Sequence, residues 1–490
     1  MISFLLSLVA LVAGYFFYGK FVEKVFGAGI RPTPAVTKAD GVDFIALPPW
    51  KTFMIQFLNI AGTGPIFGAI MGAKFGPAAY LWIVLGCIFG GAVHDYLCGM
   101  LSVRHGGANL PELVGDYLGR NARTLMLVFS VFLLMMVGTV FVYSPAKILG
   151  DIWEPAFTVA SVGRYVFWIA LIFIYYIVAT LLPVDKVIGK IYPFFAIALI
   201  FMALGLLVVL LVRNPDIPEI WEGLRETPGG PLTSQPVFPC LFITIACGAI
   251  SGFHATQSPI MARCLPTEKL GRPIFYGAMI TEGVVALIWA TVSMYFFYGK
   301  PEPAYMFMPG GAEAIGDAPS VVHLVCNEWM GMLGGILAIM GVVAAPVTSG
   351  DTALRSARLI IADFMKMEQH SVRNRLLVCL PLFAAVFALL LWQIGDASGF
   401  ERIWSWFGWS NQTLAVFTLW TATVYLVKEK RNFWITLVPA LFMTWVCTAY
   451  LMYTPNAFGM KVHIAYAAGF AAVLAAIIWF STWYRKGYRG

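Results

Sequence analysis

The chain has 490 residues, 60% apolar, 15% aromatic and only 12% charged, against roughly half apolar and a quarter charged in soluble domains. With a mean hydropathy of +0.80, that composition excludes a soluble multidomain protein and places the chain in a lipid bilayer. The net charge of +7 reads as loop charge that sets orientation, and not as a nucleic-acid surface.

Windows of about 20 residues predict an all-α polytopic protein. Thirteen spans are expected near 2–18, 52–73, 77–101, 124–146, 165–183, 190–212, 237–260, 275–298, 330–354, 374–394, 403–427, 433–453 and 463–484. The first run lacks a basic segment before it, and Lys20 and Lys24 follow it, so it is expected as an uncleaved span that starts outside. The second run is interrupted by Ala61-Gly62-Thr63-Gly64-Pro65. In the third, Asp95 follows His94 toward the cytoplasmic end. A histidine beside a carboxylate can relay protons near neutrality; the alternative is that Asp95 caps the helix or pairs with Arg104. Asn109 to Tyr117 opens as Asn-Leu-Pro-Glu, a helix start, and is expected as a short amphipathic helix on the cytoplasmic surface.

The seventh run is interrupted by Ala246-Cys247-Gly248-Ala249-Ile250-Ser251-Gly252-Phe253-His254. A faint echo, Phe57-x-x-Ile60-Ala61 against Phe242-x-x-Ile245-Ala246, precedes the two interruptions. They lie five spans apart, and an odd offset turns the second copy upside down relative to the first. That pattern belongs to inverted five-helix repeats whose discontinuous helices meet around a substrate. The domain reading is an extra N-terminal span and loop (1–51), a first repeat (52–213), an inverted second repeat (237–427) and two extra C-terminal spans (433–490). A break in lipid exposes N–H and C=O groups that need partners. Half-helix N-termini suit a carboxylate and C-termini a cation. Gly62, Thr63, Gly64, Pro65, Gly248, Ser251, Gly252 and His254 are therefore candidate substrate contacts; the competing reading of the glycines is hinge or close helix packing.

Acids inside spans line cavities or ion paths, which singles out Asp95, Glu282 and Asp351. Asp351 stands four residues before Arg355, so a structural ion pair is the leading explanation. Thr348 and Ser349, just before it, offer hard oxygen donors for a small cation or bonds back to the preceding turn. The eleventh span opens with Trp404, Trp406 and Trp409, an interfacial belt. Asn411 and Gln412 follow, to bond either between helices or to substrate. The eight cysteines show no CxxC and no Cys/His metal spacing; they are expected as buried hydrophobes, with only Cys326 in a long polar loop. Asp216, Glu219, Glu222, Glu226, Glu302, Glu313 and Asp317 are expected as solvated caps in outer loops. Sorting the loops alternately puts 24 Lys and Arg on one side and 8 on the other, so the N-terminus is expected outside and the C-terminus in the cytoplasm. The long loops near 19–51, 213–236 and 299–329 are rich in Pro and Gly and leave no room for a soluble domain.

Together, Asp40-Gly41-Val42-Asp43-Phe44, Ile60-Ala61-Gly62-Thr63-Gly64-Pro65, Phe242 to His254, Ser349 to Arg358 and Phe407-Gly408-Trp409-Ser410-Asn411-Gln412-Thr413 resemble the carbon starvation protein A (CstA) family across residues 40 to 430. The resemblance implies a prokaryotic inner-membrane transporter, tied to peptide uptake during carbon starvation and in some relatives to proton-coupled pyruvate uptake. It also implies a leucine-transporter-type core of the amino acid, polyamine and organocation superfamily. In that superfamily a cation site joins the unwound first core helix, here at Ala61, to an Ala-x-x-Thr-Ser pattern matched by Ala345, Thr348 and Ser349, which raises sodium as a coupling ion. Where several relatives carry a histidine before the glycine break, this chain has Ile55-Gln56.

The expected function is secondary active import of a small carboxylate-bearing nutrient, a short peptide foremost, by alternating access. The coupling ion is unassigned, with His94, Asp95, Glu282 and Asp351 as candidates beside the sodium set. Partners are the solute, peptide or pyruvate, and the bilayer, and no cofactor is expected. An intramembrane enzyme would need a metal set or a nucleophile with its base, which neither His94 with Asp95 nor His254 completes in the sequence.

Overall fold

The computed structural model describes residues 1–39, 44–152, 163–181, 184–223, 233–299, 318–367, 372–396 and 399–487. Among them the regular elements are all helical, and each of the thirteen expected spans is present. They are α1 (Ile2–Phe16, bending at Phe17 into Tyr18–Phe26), α2a (Pro49–Ile60), α2b (Gly64–Gly72), α3 (Ala78–Arg104), α4 (Arg120–Ile152), α5 (Gly163–Leu181) and α6 (Val184–Arg213). There follow α7a (Val237–Thr244), α7b (Gly252–Ala262), α8 (Glu268–Tyr298), α9 (Ala318–Met365), α10 (Val372–Gly395), α11 (Gly399–Lys428), α12 (Trp434–Tyr453) and α13 (Val462–Gly487). The predicted surface helix forms as Leu110–Leu118, its entry fixed where the Asn109 amide donates to Glu112 at 3.2 Å.

Hydropathy and burial diverge in an informative way. Eight described helices are long and apolar enough to cross a bilayer by composition, and α2a with the helix Gly64–Phe75, bent by 44°, makes a ninth. In α11 Asn411 and Gln412 interrupt the apolar run, as Asp351 and Arg355 do in the later part of α9, and all four are buried in protein. Lipid would reject those side chains, so these stretches face the interior. α3 and α8 are likewise interior, 83% buried over their most apolar stretch, whereas α13 is 17% buried and packs on α12 at the periphery.

The broken helices α2 and α7 occupy the middle, walled by α3, α4, α6, α8, α9 and α11. Close approach in this shell depends on small residues. A Cβ at Gly341 of α9 would stand 2.9 Å from the Ala198 carbonyl oxygen and 3.0 Å from Leu199 Cα of α6, and one at Gly350 would overlap the Tyr176 ring of α5.

Four expectations are corrected. α9 starts at Ala318 and runs through a non-helical residue, Gly331 at φ +65°, where hydropathy had placed its start near residue 330. Cys326 is therefore a buried helical residue and not a loop thiol. Glu219 is no free solvated cap: it binds the N-terminal ammonium and accepts from the Ile2 and Ser3 amides at 2.9 and 2.7 Å, where an anion complements a helix N-terminus. Burial pushes its carboxyl up, but these bonds outweigh that and hold it at about 2. The loop at 19–51 is also partly helical, over Tyr18–Phe26 and Pro34–Thr37. Asp40 to Asp43, Glu226, Glu302, Glu313 and Asp317 lie outside the described residues.

Because Gly341 meets backbone atoms that cannot rotate away, Gly341→Val should cost about 1–3 kcal/mol through overpacking. Thermal unfolding in detergent should show a lowered Tm, while Gly395→Ala, with nothing within 4 Å of its Cβ, leaves Tm unchanged.

Candidate functional site

The chain leaves helical geometry at Ala61 (φ −83°, ψ 39°) and re-enters at Gly64, with Pro65 in the first turn of α2b. A missing N–H there removes no intrahelical bond. In the seventh span, Ile245 (φ −94°, ψ 78°) ends α7a and Gly248 crosses in the left-handed region at φ +92°. Ser251 is extended (φ −142°, ψ 119°), and α7b begins at Gly252. The unwound stretch is thus shorter than the sequence suggested: Gly252, Phe253 and His254 form the first turn of α7b.

The two breaks touch. A Cβ on Gly248 would lie 3.7 Å from Pro65 Cα, and one on Gly64 would overlap the Cys247 side chain. Gly62 faces Phe141 of α4 and, at 3.4 Å, Ser349 of α9. Gly252 plays another part, its Cα pressed against the Asn411 oxygen and Ala415 nitrogen of α11, so it is a packing glycine.

Neighbouring spans satisfy much of the backbone that the breaks release. Trp82 Nε1 donates to the Ile245 oxygen at 2.8 Å and Gln412 Nε2 to the Phe242 oxygen at 2.8 Å. Asn411 Oδ1 accepts from the Phe253 amide at 2.6 Å and the Ser251 hydroxyl at 3.1 Å. Asn411 and Gln412 therefore act between helices here. On the other break, Ser349 Oγ donates to the Leu58 oxygen at 2.8 Å. Beside these bonds, Gln56 Oε1 and Nε2, Asn59 Oδ1 and Thr63 Oγ1 of the second span are buried without a hydrogen-bond partner, which in a native interior calls for an explanation such as a ligand, ion or water.

His94, Asp95, His254 and Glu282 come from three spans and converge. Asp95 does not pair with Arg104: its Oδ1 meets His94 Nδ1 at 2.8 Å and its Oδ2 meets His254 Nδ1 at 2.7 Å. Arg104 instead binds Glu268 at 3.2 Å, the Tyr425 hydroxyl at 2.6 Å and the Gly27 oxygen at 2.9 Å. On its other side His254 Nε2 stands 3.3 Å from a Glu282 oxygen. His254, alone in the sequence reading, thus has Asp95, Glu282 and Cys247 around it. Cys247 was read as a buried hydrophobe because its partners lie across a break, where helical spacing does not apply; the only signal was its position inside the same interruption as His254.

Thr348 Oγ1 bonds back to the Ala344 and Ala345 oxygens at 2.8 and 2.9 Å, while Ser349 reaches across to α2a. Ala61, Ala345, Thr348 and Ser349 are all buried along this seam. Asp351 Oδ1 lies 3.7 Å from Arg355 Nη2, and Asp351 Oδ2 accepts from the Tyr192 hydroxyl at 3.3 Å, the geometry of a structural ion pair. A cavity of about 250 Å³ opens beside the second break, lined by Lys74, Thr244, Trp404, Ser405, Tyr450 and Asn456 among others. Apart from Trp404, the sequence reading did not single these out, since they come from ends of separate elements.

The family model described as "Carbon starvation protein CstA" matches residues 1–163, 148–333 and 301–450, and the chain belongs to that family. It is 47% identical over 345 residues to an uncharacterized membrane protein of Haemophilus influenzae, covering 62% of this chain and 92% of that one. It is 28% identical to the peptide transporter CstA of Bacillus subtilis, covering 97% and 96%. It is 25% identical to the pyruvate/proton symporter BtsT of Escherichia coli, covering 91% and 80%. Among solved structures it resembles an Eremococcus coleocola manganese transporter (TM-score 0.59, 11% identity, 91% of this chain and 99% of that one). It also resembles MhsT in complex with L-phenylalanine (TM-score 0.52, 14% identity, 87% and 98%). The fold is the leucine-transporter-type inverted repeat of five plus five helices, with extra helices at both ends.

Truncating Asn411 to Ala should leave the Phe253 amide unpartnered and cost about 1–3 kcal/mol; an unchanged Tm would show that other contacts hold the break. Asp351→Asn should act on stability, because breaking a buried pair costs about 3–5 kcal/mol. The check is expression and Tm measured together, both falling.

Proposed function

We propose that the chain is a secondary active transporter that imports a small carboxylate-bearing solute, a short peptide foremost, by alternating access around α2 and α7. The observation that carries this reading is the contact between two unwound stretches five spans apart, with the buried, partnerless Gln56, Asn59 and Thr63 beside them. Lipid offers unwound backbone no partners, and half-helix ends are suited to a carboxylate on the N-terminal side and a cation on the other. Gly62, Thr63, Gly64, Pro65, Gly248 and Ser251 are the proposed solute contacts, and Ala61, Ala345, Thr348 and Ser349 the proposed sodium seam, supported by the reach of Ser349 to α2a. The names of the CstA relatives support peptide as the substrate. A second reading, proton-coupled pyruvate uptake, is supported by the likeness to BtsT and by the buried His94–Asp95 pair. We place the protein in a prokaryotic inner membrane with its N-terminus outside and C-terminus cytoplasmic, as the 24-to-8 distribution of basic residues favours.

Purified protein in proteoliposomes should take up labelled dipeptide or pyruvate when a sodium or proton gradient is imposed, and competition between the two solutes ranks them. Gly64→Leu, whose side chain would overlap Cys247, should abolish uptake while the protein still inserts. If no labelled solute moves under either gradient, or if Gly64→Leu transports like the parent, the proposed site is wrong.

A further inference from the structure

We propose that Cys247, His254 and Glu282 form a binding site for a first-row divalent cation of the zinc class, with Asp95 orienting the histidine. The cysteine sulfur, a histidine nitrogen and a carboxylate oxygen of these residues all lie within 4.8 Å of one another, drawn from the unwound stretch, from α7b and from α8. Zinc bonds of about 2.0–2.3 Å place neighbouring ligand atoms roughly 3.3–3.8 Å apart. His254 Nε2 and the Glu282 oxygen at 3.3 Å already meet that spacing, and a thiol swing of about 1 Å completes the set.

The bonding pattern points to a ligand independently of the spacing. Apart from facing each other at 3.3 Å, His254 Nε2 and both Glu282 oxygens are buried without a hydrogen-bond partner, and both side chains are fully buried. His254 has Nδ1 engaged by Asp95 at 2.7 Å, so a proton held on Nδ1 is directed at that carboxylate and Nε2 is the nitrogen that can take the metal. A carboxylate behind the imidazole is the usual support of a metal-binding histidine. Asp95 is itself held by His94. The sulfur has a donor of its own, Asn411 Nδ2 at 3.7 Å, and the Ser251 hydroxyl oxygen stands 3.4 Å from it.

Charge selects the cation. A thiolate and the Glu282 carboxylate neutralise a divalent ion, whereas without one Glu282 has only the His254 ring at 3.3 Å to compensate its burial. Sulfur and imidazole favour zinc, cobalt(II) or iron(II) over sodium, magnesium or calcium. Binding forms metal–sulfur, metal–nitrogen and metal–oxygen bonds and releases the Cys247 proton to solvent. A Cys–His–Asp nucleophile fits less well, since Glu282 would set a second negative charge beside the oxyanion such a nucleophile generates. The three residues leave a fourth coordination position.

The site is tested by binding, without reference to any transported solute. Full-length protein in detergent, stripped with chelator, should take up one equivalent of Co²⁺ and show a sulfur-to-cobalt absorption in the near ultraviolet that one equivalent of Zn²⁺ abolishes. Cys247→Ser should remove the band, and His254→Gln and Glu282→Gln should weaken binding by about 100-fold. Asp95→Asn should weaken it 10- to 100-fold with the band retained, and Cys447→Ser, in α12, should change nothing. No saturable Co²⁺ or Zn²⁺ binding by the parent protein, which needs no variant to be folded, overturns the site and leaves a proton-exchanging His–carboxylate chain. A band that survives in Cys247→Ser overturns it equally.

Discussion

Unwound backbone inside a bilayer must find its hydrogen bonds within the protein, and the rest of this structure depends on how two such stretches are satisfied. The bonds come from fixed neighbours: Trp82 of α3, Ser349 of α9, and Asn411 and Gln412 of α11. Each donor or acceptor sits on a locally regular stretch of helix and reaches into a span broken at the centre. This explains why the interior spans carry amides and hydroxyls that a lipid-facing helix could not. It also explains why Gly252 has no room for a side chain, since α11 must lie against the first turn of α7b for Asn411 to reach the Phe253 amide.

The two breaks are served differently, and the difference has energetic content. The α7 break receives four side-chain bonds to its backbone or hydroxyl, from Trp82, Gln412 and twice from Asn411. For the α2 break the corresponding bond is Ser349 to Leu58, while Gln56, Asn59 and Thr63 carry buried atoms with no partner. An unsatisfied buried polar group costs about 1–3 kcal/mol. The backbone of the α7 break is thus the better satisfied of the two, while Gln56, Asn59 and Thr63 keep unmet bonding capacity on the α2 side that a solute or ion with polar groups can meet.

Much of this was legible in the sequence. Thirteen spans could be read because about 20 apolar residues are needed to cross lipid, and both breaks because Gly62, Gly64, Pro65, Gly248 and Gly252 cluster where an unbroken span would avoid them. Local pairings were legible too: Asp351 with Arg355 follows from one helical turn, and the capped start at Asn109 from its Pro and Glu. What sequence could not supply was convergence between spans. Asp95 and His254 are 159 positions apart and meet only because α3 packs on α7b. Asp95 was assigned a choice between His94 and Arg104 since only neighbours in sequence were available to it. Hydropathy also misplaced the start of α9, because its first turns contain His323, Asn327 and Glu328, and polar residues at that spacing do not read as a span.

The position of Cys247 connects the polar cluster to the breaks themselves. Its side chain fills the space beside Gly64, so the sulfur touches the start of α2b while the same residue belongs to the unwound stretch of α7. His254, in the first turn of α7b, and Glu282, in the middle of α8, stand on helices that are otherwise regular at those points. Any rearrangement that changes how α2b sits on the α7 break must therefore move Cys247 relative to two groups held by intact helices. Holding the three together with a cation would stiffen the contact between the breaks, and separating them would strand His254 Nε2 and Glu282 without the charge that compensates them. The same geometry that closes the backbone around the two interruptions thus makes their relative position sensitive to a single bound charge.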